Sequence, residues 1–323
     1  MIEIGQIIKK QSGKVAIILS LISIAIPTVG YYMKKKGKYE IELIPGFNKG
    51  FRLTGYDSRY KENHDIGRLQ YGEMAEKTDW RIGQWGCTKN LINSVHTKEG
   101  NTDVYFDGSK TLKINNDTGG FVLDIDGSKD YTKDRKEGEA WIHFIMEVTS
   151  MPVQVKISDI NFLDYSLEFN LTKEKNNNIH FNSGLHTALF IWYITLNDRD
   201  PASPTYGDYF WFGLPIYDYR YDYSPFFAQQ DGGKEDKTDK FVINPKGEDF
   251  LNNTVRLNEP QHMQVDVFGM LKNAYELAVS RGFMKNTTFE KLSIASMYIG
   301  WELPGNFDVA MKVDKISMKA GIR

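Results

Sequence analysis

Tyrosine recurs at every second residue in one stretch of the chain, where four tyrosines alternate with three charged residues: Tyr217, Asp218, Tyr219, Arg220, Tyr221, Asp222 and Tyr223. Because successive side chains of a strand point to opposite faces, a strand over 216–223 would place the four tyrosines on one face. A tyrosine ring can stack on an apolar sugar face while its hydroxyl forms hydrogen bonds. The alternation therefore predicts a sugar-binding surface, and burial of the same rings in a core is the alternative.

Other aromatic residues beside polar groups extend this predicted surface. Trp211 lies just before Gly213, Asp231 follows the aromatic stretch, and Trp301 and Glu302 lie in the glycine-flanked IGWELPG. The predicted ligand contacts combine stacking rings with polar groups: Trp211, Tyr217, Tyr219, Arg220, Tyr221, Asp231, Trp301 and Glu302. For each aromatic residue, packing in a core is the competing interpretation.

The sequence predicts no catalytic residue. Glycoside hydrolysis needs two carboxyl groups across the scissile bond. Carboxylates near aromatic residues are available: Glu139, Glu147, Asp218, Asp222, Asp231 and Glu302. They form no compact acidic cluster on one strand face, which favours binding over hydrolysis. A lyase would need a base such as tyrosine, histidine or lysine, and His143, His180 and His186 are candidates. A polysaccharide-cleaving enzyme therefore remains the alternative to a binding protein.

Composition excludes several other classes of function. The 323 residues carry a net charge of −2 and a pI of about 6.3, without the basic character of nucleic-acid-binding proteins. Cys87 is the single cysteine, so an intramolecular disulfide and a multi-cysteine zinc site are excluded. Neither a phosphate-binding glycine loop nor a G-x-S-x-G motif is present. No cofactor is predicted, although Asp124, Asp126 and Asp130 in DIDGSKD offer a structural calcium site as an alternative to a plain hairpin turn.

The N-terminal region contains a segment of membrane-spanning character. Residues 15–33, VAIILSLISIAIPTVGYYM, carry no charge and would span roughly 28 Å as a helix. Lysines flank both ends, and Tyr31 and Tyr32 stand where interfacial aromatic residues belong. The pattern predicts a tail over 1–14 and an uncleaved single-pass anchor over 15–33, with a cleaved signal peptide as the alternative. Three lysines before the anchor and four after it slightly favour a cytosolic C-terminal domain. The character of the following domain favours the outer side of the cell membrane, which is the orientation we predict.

From residue 39 onward the sequence pattern predicts a series of strands. Short alternating or β-branched runs are separated by turn-forming clusters, and eight of them are predicted strands: YEIELI, TDVYF, KTLKI, GFVLDI, AWIHFIMEV, VQVKI, YSLEFNL and TALFIWYITL. Only residues 266–284 show apolar spacing typical of a helix, with Gly282 as its stop. ASMYIGWEL and FDVAMKVDKISMKA return to strand alternation. These patterns predict an all-β sandwich or jelly roll with one short helix, forming a single domain over 39–323.

Several motifs together resemble a known group of proteins. QWG, GEAWIH, YFWFGLPIYD, FAQQDGGKED and GWELPGNFDVAMKV resemble bacterial extracytoplasmic proteins that have a concanavalin-like or jelly-roll β-sandwich. The resemblance covers residues 40–320 and implies polysaccharide binding or breakdown. YFWFGLPIYD is also similar to the tyrosine-rich strand of alginate-lyase-like sandwiches, whose Arg-Thr-Glu-Leu-Arg and Gln-Ile-His signatures this sequence lacks.

The sequence thus predicts a membrane-anchored, lectin-like β-sandwich that binds a polysaccharide or another glycan in an aromatic groove. Two alternatives are a glycan-cleaving enzyme on the same scaffold and a structural or partner-binding ectodomain, in which the aromatic patch contacts another protein.

Overall fold

The computed structural model describes residues 33–35, 38–57, 62–69, 71–72, 77–232 and 237–323. These residues belong to one compact unit, Tyr31–Arg323. The predicted tail and residues 15–32 of the predicted anchor lie outside the described residues, and Met33 begins a strand. Within the described ranges, no helix combines the length and apolar character needed to cross a bilayer.

The described residues form nineteen strands, one α-helix and five single-turn 3-10 helices. The strands are β1 (Met33–Lys35), β2 (Lys38–Glu42), β3 (Phe51–Asp57), β4 (Glu62–Leu69), β5 (Trp80–Gln84), β6 (Val95–Glu99), β7 (Thr102–Phe106), β8 (Lys110–Asn115), β9 (Phe121–Asp126), β10 (Ile142–Val148), β11 (Val155–Lys156), β12 (Ile160–Asn176), β13 (Leu189–Asp198), β14 (Tyr209–Asp218), β15 (Phe227–Gln230), β16 (Phe241–Asn244), β17 (Gln261–Asp266), β18 (Leu292–Leu303) and β19 (Phe307–Ile322). The α-helix is α1 (Phe268–Ser280), and the 3-10 helices are Leu91–Asn93, Gly127–Lys129, Ile157–Asp159, Gly247–Asp249 and Phe289–Lys291.

The strands form two sheets. In the nine-stranded sheet, the long strand β19 pairs along one side with β12, which pairs in turn with β17. On its other side, β19 pairs with β2 near the C-terminus and with β9 nearer its start, and β8, β7 and β6 continue outward from β9. The ten-stranded sheet has the order β15-β16-β14-β13-β18-β10-β5-β3-β4, with β11 paired to the start of β18.

The core lies between the two sheets. Trp192 on β13 packs against Tyr165 on β12 with ring centroids 4.3 Å apart. Trp301 on β18 is fully buried, and its indole N–H donates to the carbonyl of Leu123 on β9 over 2.9 Å. These contacts join one sheet to the other and show which side of each strand faces inward. The predicted β-sandwich with one helix is therefore confirmed.

Helix α1 lies within the predicted range 266–284. Leu271, Ala274 and Ala278 are its buried residues, as the apolar spacing predicts. Its end has a Schellman arrangement, in which the amide of Phe283 donates to the carbonyl of Ala278 over 2.9 Å. Gly282 adopts a φ of +101°, a conformation that favours glycine, which confirms this residue as the stop signal.

The predicted strand over 216–223 is wrong. Strand β14 ends at Asp218, and the chain then turns, with the amide of Tyr221 donating to the carbonyl of Asp218 over 3.0 Å. The Asp218 carboxylate also accepts from the backbone amide of Arg220, over 3.1 Å. An aspartate that bonds its own backbone two residues later stabilises a turn against an extended strand.

Candidate functional site

One face of the ten-stranded sheet points away from the other sheet, and we call it the outer face. Strand parity identifies its residues: on β18, Trp301 and Ile299 face the core, so Tyr298 and Glu302 point outward. On β10, Phe144 and Met146 belong to the core, which turns Glu147 to the outer side.

Four aromatic rings form a continuous row on this face. Trp211 on β14 is the centre of the row: its ring lies 5.7 Å from that of Tyr193 on β13, 5.8 Å from Tyr298 and 5.7 Å from Tyr209. Tyr193 and Tyr298 lie 5.1 Å apart. Trp211, Tyr209 and Tyr298 are partly exposed, whereas Tyr193 is buried. We call these four residues the aromatic row; it presents partly exposed rings beside hydrogen-bonding hydroxyls, as sugar binding requires.

A glycine makes room for Tyr193 of the aromatic row. Gly213 lies opposite Tyr193 in the pairing of β13 with β14. A Cβ atom at Gly213 would lie 2.3 Å from the Tyr193 ring and 2.7 Å from the Asn244 side-chain oxygen. Burial, followed by the charge of Glu302, raises the pKa of the Tyr193 hydroxyl, and the Asn244 side chain acts in the opposite direction. The Tyr193 side chain is therefore uncharged, and its residue lies between Gly213 of β14 and Tyr298 of β18.

One glutamate of the outer face pairs with an arginine. Glu147 on β10 lies opposite Tyr298 on β18 and opposite Arg81 on β5. The Arg81 guanidinium donates twice to one oxygen of Glu147, over 2.9 and 2.6 Å. Burial raises the pKa of Glu147 above its ordinary value of 4.5, although the charge and hydrogen bonds of Arg81 act in the opposite direction. A glutamate with a raised pKa keeps its proton to a higher pH than an ordinary glutamate, which is a property of general acids.

A second glutamate, Glu302, lies on the same face. It follows Tyr298 by four residues on β18, and Tyr298 is the residue opposite Glu147. Glu302 is opposite His143 on β10, and the Tyr298 hydroxyl donates to its carboxylate over 2.6 Å. The pKa of Tyr298 is raised by burial first, and then by the negative charges of Glu302 and Glu147. Tyr298 thus links the aromatic row to one glutamate by a hydrogen bond and to the other by electrostatic interaction.

Two further tryptophans lie near Glu302. The ring of Trp85, directly after β5, is 5.4 Å from that of His143, and Trp141, directly before β10, stacks on the same imidazole with centroids 6.3 Å apart. The guanidinium of Arg135 lies 5.9 Å from the centroid of Trp141. Both tryptophans are partly exposed. The outer face therefore carries two groups of aromatic residues, with Glu147 and Glu302 among them.

The alternating tyrosines do not share a surface. The Tyr217 ring packs against Trp301, with centroids 5.9 Å apart, and its hydroxyl donates to Glu174 over 2.6 Å on the core-facing side of the sheet. Tyr219 lies in the turn after β14 and packs against Phe307 at 4.7 Å. Tyr221 is 46% exposed. The expected single tyrosine-lined face is absent, because the strand ends before the alternation is complete.

The predicted polar contacts serve the local structure. Arg220 forms a bidentate pair with the Asp218 carboxylate, over 2.9 and 2.7 Å, and lies 5.1 Å above the ring of Tyr221. Asp231 accepts from the amide and the hydroxyl of Thr238, both over 2.8 Å, and so stabilises the segment between β15 and β16. Neither residue is a member of the aromatic row, but the negative charge of Asp231 acts on Tyr193 and Tyr209 and, after burial as the larger cause, raises the pKa of both hydroxyls.

Trp301 and Glu302 point to opposite sides of the sheet, because they are consecutive residues of one strand. Trp301 has no exposed surface and is therefore not available to a ligand, contrary to the prediction. Glu302 remains, together with Trp211. The sequence pattern did not identify Tyr193, Tyr209 and Tyr298 as site residues. Strand alternation could have found two of them: if Trp192 and Trp301 face the core, Tyr193 and Tyr298 must face the outer side.

The calcium alternative is not supported by the positions of its three aspartates. The Lys173 ammonium pairs with both Asp124 and Asp126, where a cation would otherwise bind. Asp130 instead accepts from the amide and hydroxyl of Thr88, over 2.7 and 2.5 Å. Across the described part of the chain, no group of three or more His, Cys, Asp or Glu side chains could hold a metal ion.

Comparison with known proteins gives loose structural likenesses. No protein-family description and no curated protein sequence matches the chain. Endoglucanase cel12A from Rhodothermus marinus aligns with a TM-score of 0.38 at 10% identity, over 69% of this chain and 93% of that one. The native family 12 xyloglucanase from Bacillus licheniformis aligns with a TM-score of 0.40 at 8% identity, over 72% and 99%. At these scores and identities the likeness assigns no activity to this chain.

Proposed function

We propose that this chain binds a polysaccharide across the outer face of the ten-stranded sheet. The observation that carries the proposal is the aromatic row, in which Trp211 contacts Tyr193, Tyr209 and Tyr298 with centroids no more than 5.8 Å apart. Partly exposed aromatic rings stack on sugar C–H faces, and their hydroxyls and the nearby glutamates bond sugar hydroxyls.

The charge pattern favours a neutral glycan over an acidic one. The cationic side chains near the row are already paired: Arg81 with Glu147, and Lys240 with Asp208 over 2.6 Å while it lies 5.2 Å above Tyr209. A uronate would need a cation to neutralise its carboxylate. Neutral chains with exposed C–H faces need only stacking and hydrogen bonds.

A second candidate function is cleavage of the bound glycan, which the two glutamates favour. Glu147 has a raised pKa, as a general acid requires, and Glu302 accepts a hydrogen bond from Tyr298. Their backbone positions differ by four residues along paired strands, or roughly 14 Å. The two side chains would have to lean toward each other to reach the carboxyl separation of about 5–9.5 Å that glycoside hydrolysis uses.

The test is a panel of neutral and acidic soluble polysaccharides, with tryptophan fluorescence to detect binding and a reducing-end assay to detect cleavage. Binding without product, weakened at least tenfold by Trp211→Ala and unchanged by Phe226→Ala, supports the binding function. Phe226 is exposed, lies outside the aromatic row, and so provides a matched control. Product formation that is lost in both Glu147→Gln and Glu302→Gln supports cleavage, and binding that survives Trp211→Ala contradicts the assigned face.

The apolar N-terminal segment supports a further part of the proposal, that residues 15–33 anchor the sandwich outside the cell membrane. The segment is uncharged and lysines flank it on both sides. Carbonate extraction should leave the full-length chain in the membrane pellet, and protease added to intact cells should digest the sandwich domain. Release by carbonate would contradict the anchor, and protection from protease would contradict the orientation.

A further inference from the structure

A polar cleft of about 680 Å³ lies at the edge of the nine-stranded sheet, away from the aromatic row. Its walls come from β6, β7, the turn after β8 and the segment after β4. On β8, the same side of the sheet is apolar at Leu112 and Ile114, which belong to the core. Across the pairing of β8 with β7 and β6, that side becomes polar at Asp103 and His96. At this edge the inward side of the sheet therefore carries hydrogen-bonding and ionisable groups in place of core residues.

A buried aspartate organises the cleft. Asp103, whose side chain is 8% exposed, accepts from Asn116 over 2.7 Å and interacts with the imidazole Nε2 of His96 over 2.6 Å. Burial alone would raise the pKa of Asp103, but its hydrogen bonds with Asn116 and His96 lower it overall. Asp103 is therefore ionised at neutral pH, and it fixes the orientation of both partners.

His96 provides an aromatic platform at the mouth of the cleft. Its imidazole stacks on Tyr105 with centroids 4.5 Å apart and an interplanar angle of 9°. Tyr105 is buried, whereas the His96 side chain is 41% exposed. Since Asp103 engages Nε2, Nδ1 points away from that carboxylate. One imidazole face thus rests on tyrosine, and the opposite face and Nδ1 are available to a ligand.

Hydrogen-bonding groups of both kinds surround this platform. The Tyr71 hydroxyl donates to the side-chain oxygen of Asn116 over 2.7 Å. The side-chain amide of Asn101 donates to the Asp117 carboxylate, also over 2.7 Å. Among the described residues that line the cleft, Lys98 is the one basic lysine or arginine, and its ammonium lies 3.8 Å from the Asp103 carboxylate. Two aspartates and a single lysine disfavour an anionic ligand.

We propose that this cleft is a second ligand site, which binds a neutral, hydroxyl-rich molecule such as a short oligosaccharide. An exposed ring for stacking, amide and carboxylate groups for hydroxyls, and a volume within the ordinary range of small-molecule sites all fit that class. The site does not depend on the outer-face proposal, because its residues lie on the other sheet and in the segment after β4.

The test follows the imidazole signals of His96 by NMR in the full-length chain, with the signals assigned through His96→Gln. The probes are cellotetraose, xylotetraose and chitotetraose, with tetragalacturonate as the anionic comparison. We expect saturable shifts of the His96 signals with at least one neutral probe, and weaker shifts with tetragalacturonate. The same shifts should persist in Trp211→Ala, which removes the centre of the aromatic row.

Asp117→Ala provides the loss-of-function variant, because Asp117 is exposed and its substitution spares the buried Asp103. We expect it to weaken the affinity of the neutral probe at least fivefold, whereas His262→Ala, at an exposed histidine on β17, should leave the affinity unchanged. Three results would overturn the proposal: no His96 shift with any neutral probe, shifts that vanish in Trp211→Ala, or stronger binding of tetragalacturonate.

Discussion

The pair formed by Arg81 and Glu147 allows the electrostatics of the outer face to be tested without any ligand. Replacing Arg81 by methionine keeps most of the side-chain volume and removes the cation. The carboxylate of Glu147 would then be held on the sheet without the two hydrogen bonds of 2.9 and 2.6 Å. We expect Arg81→Met to lower the free energy of unfolding at neutral pH.

The exposed fractions of the Arg81 and Glu147 side chains determine how much stability Arg81→Met should cost. Removing one partner of a fully buried pair costs about 3–5 kcal/mol. Here the Glu147 side chain is 12% exposed and that of Arg81 is 33% exposed, so solvent screens part of the interaction. We therefore expect a cost of about 1–2 kcal/mol at pH 7. In a double-mutant cycle with Glu147→Gln, the coupling energy should be about 1 kcal/mol.

The cost should depend on pH in a defined direction. Burial raises the pKa of Glu147 in the folded state above its ordinary value of 4.5, and loss of Arg81 raises it further. The folded state then binds the proton more tightly than the unfolded state does, so stability falls as pH rises from 4.5 through the folded-state pKa. Below 4.5 the carboxyl group is protonated in both states, and most of the cost disappears.

Urea denaturation of the wild type, the two single variants and the double variant, at pH 4 and pH 7, measures these quantities. The expected result is a larger loss for Arg81→Met at pH 7 than at pH 4. An equal loss for Arg81→Met at both pH values, or a coupling energy of zero at pH 7, would show that the charge of Glu147 does not depend on Arg81.

Three further predictions concern other positions. Gly213→Ala should cost about 1–3 kcal/mol in urea denaturation and weaken polysaccharide binding, because its Cβ would overlap Tyr193; unchanged binding would show that the aromatic row does not contact the ligand. Trp301→Ala should cost about 3–5 kcal/mol, measured in the same way, and a loss below 1 kcal/mol would contradict its place in the core. Calcium should leave the wild-type Tm unchanged, because Lys173 pairs with Asp124 and Asp126; a calcium-dependent rise in the Tm of the wild type would contradict this.

The regular strands were predictable from local pattern. KTLKI and GFVLDI alternate buried and partly exposed residues in the structure, as they do in the sequence, and they form β8 and β9. The helix was equally clear, since its apolar spacing and Gly282 agree with α1. In these elements one face is buried and the other meets solvent. The spacing of apolar residues therefore follows the period of the strand or the helix.

The tyrosine alternation shows why the same reasoning failed at 216–223. The pattern has period two, but Asp218 bonds the backbone amide and the side chain of Arg220 and ends the strand. A local side-chain interaction thus outweighed the strand preference of Tyr219 and Tyr221. Pattern alone does not reveal that competition.

The candidate site was only partly predictable, because it depends on strand order. Tyr193, Trp211 and Tyr298 come from three strands that neighbour one another only in the folded sheet. Tyr193 and Tyr298 each lie inside an apolar run of the sequence. Such a run does not distinguish a strand that is buried on both faces from a strand that presents one face to a ligand. Long-range pairing, which the sequence does not display, brings the three rings together.

The most direct test of the central claim is affinity electrophoresis of the full-length chain through gels with and without neutral polysaccharides. We expect at least one neutral polysaccharide to retard the wild type, and Trp211→Ala to restore free migration while Phe226→Ala does not. If no neutral polysaccharide retards the chain, or if Trp211→Ala is retarded as strongly as the wild type, the outer face is not a sugar-binding surface.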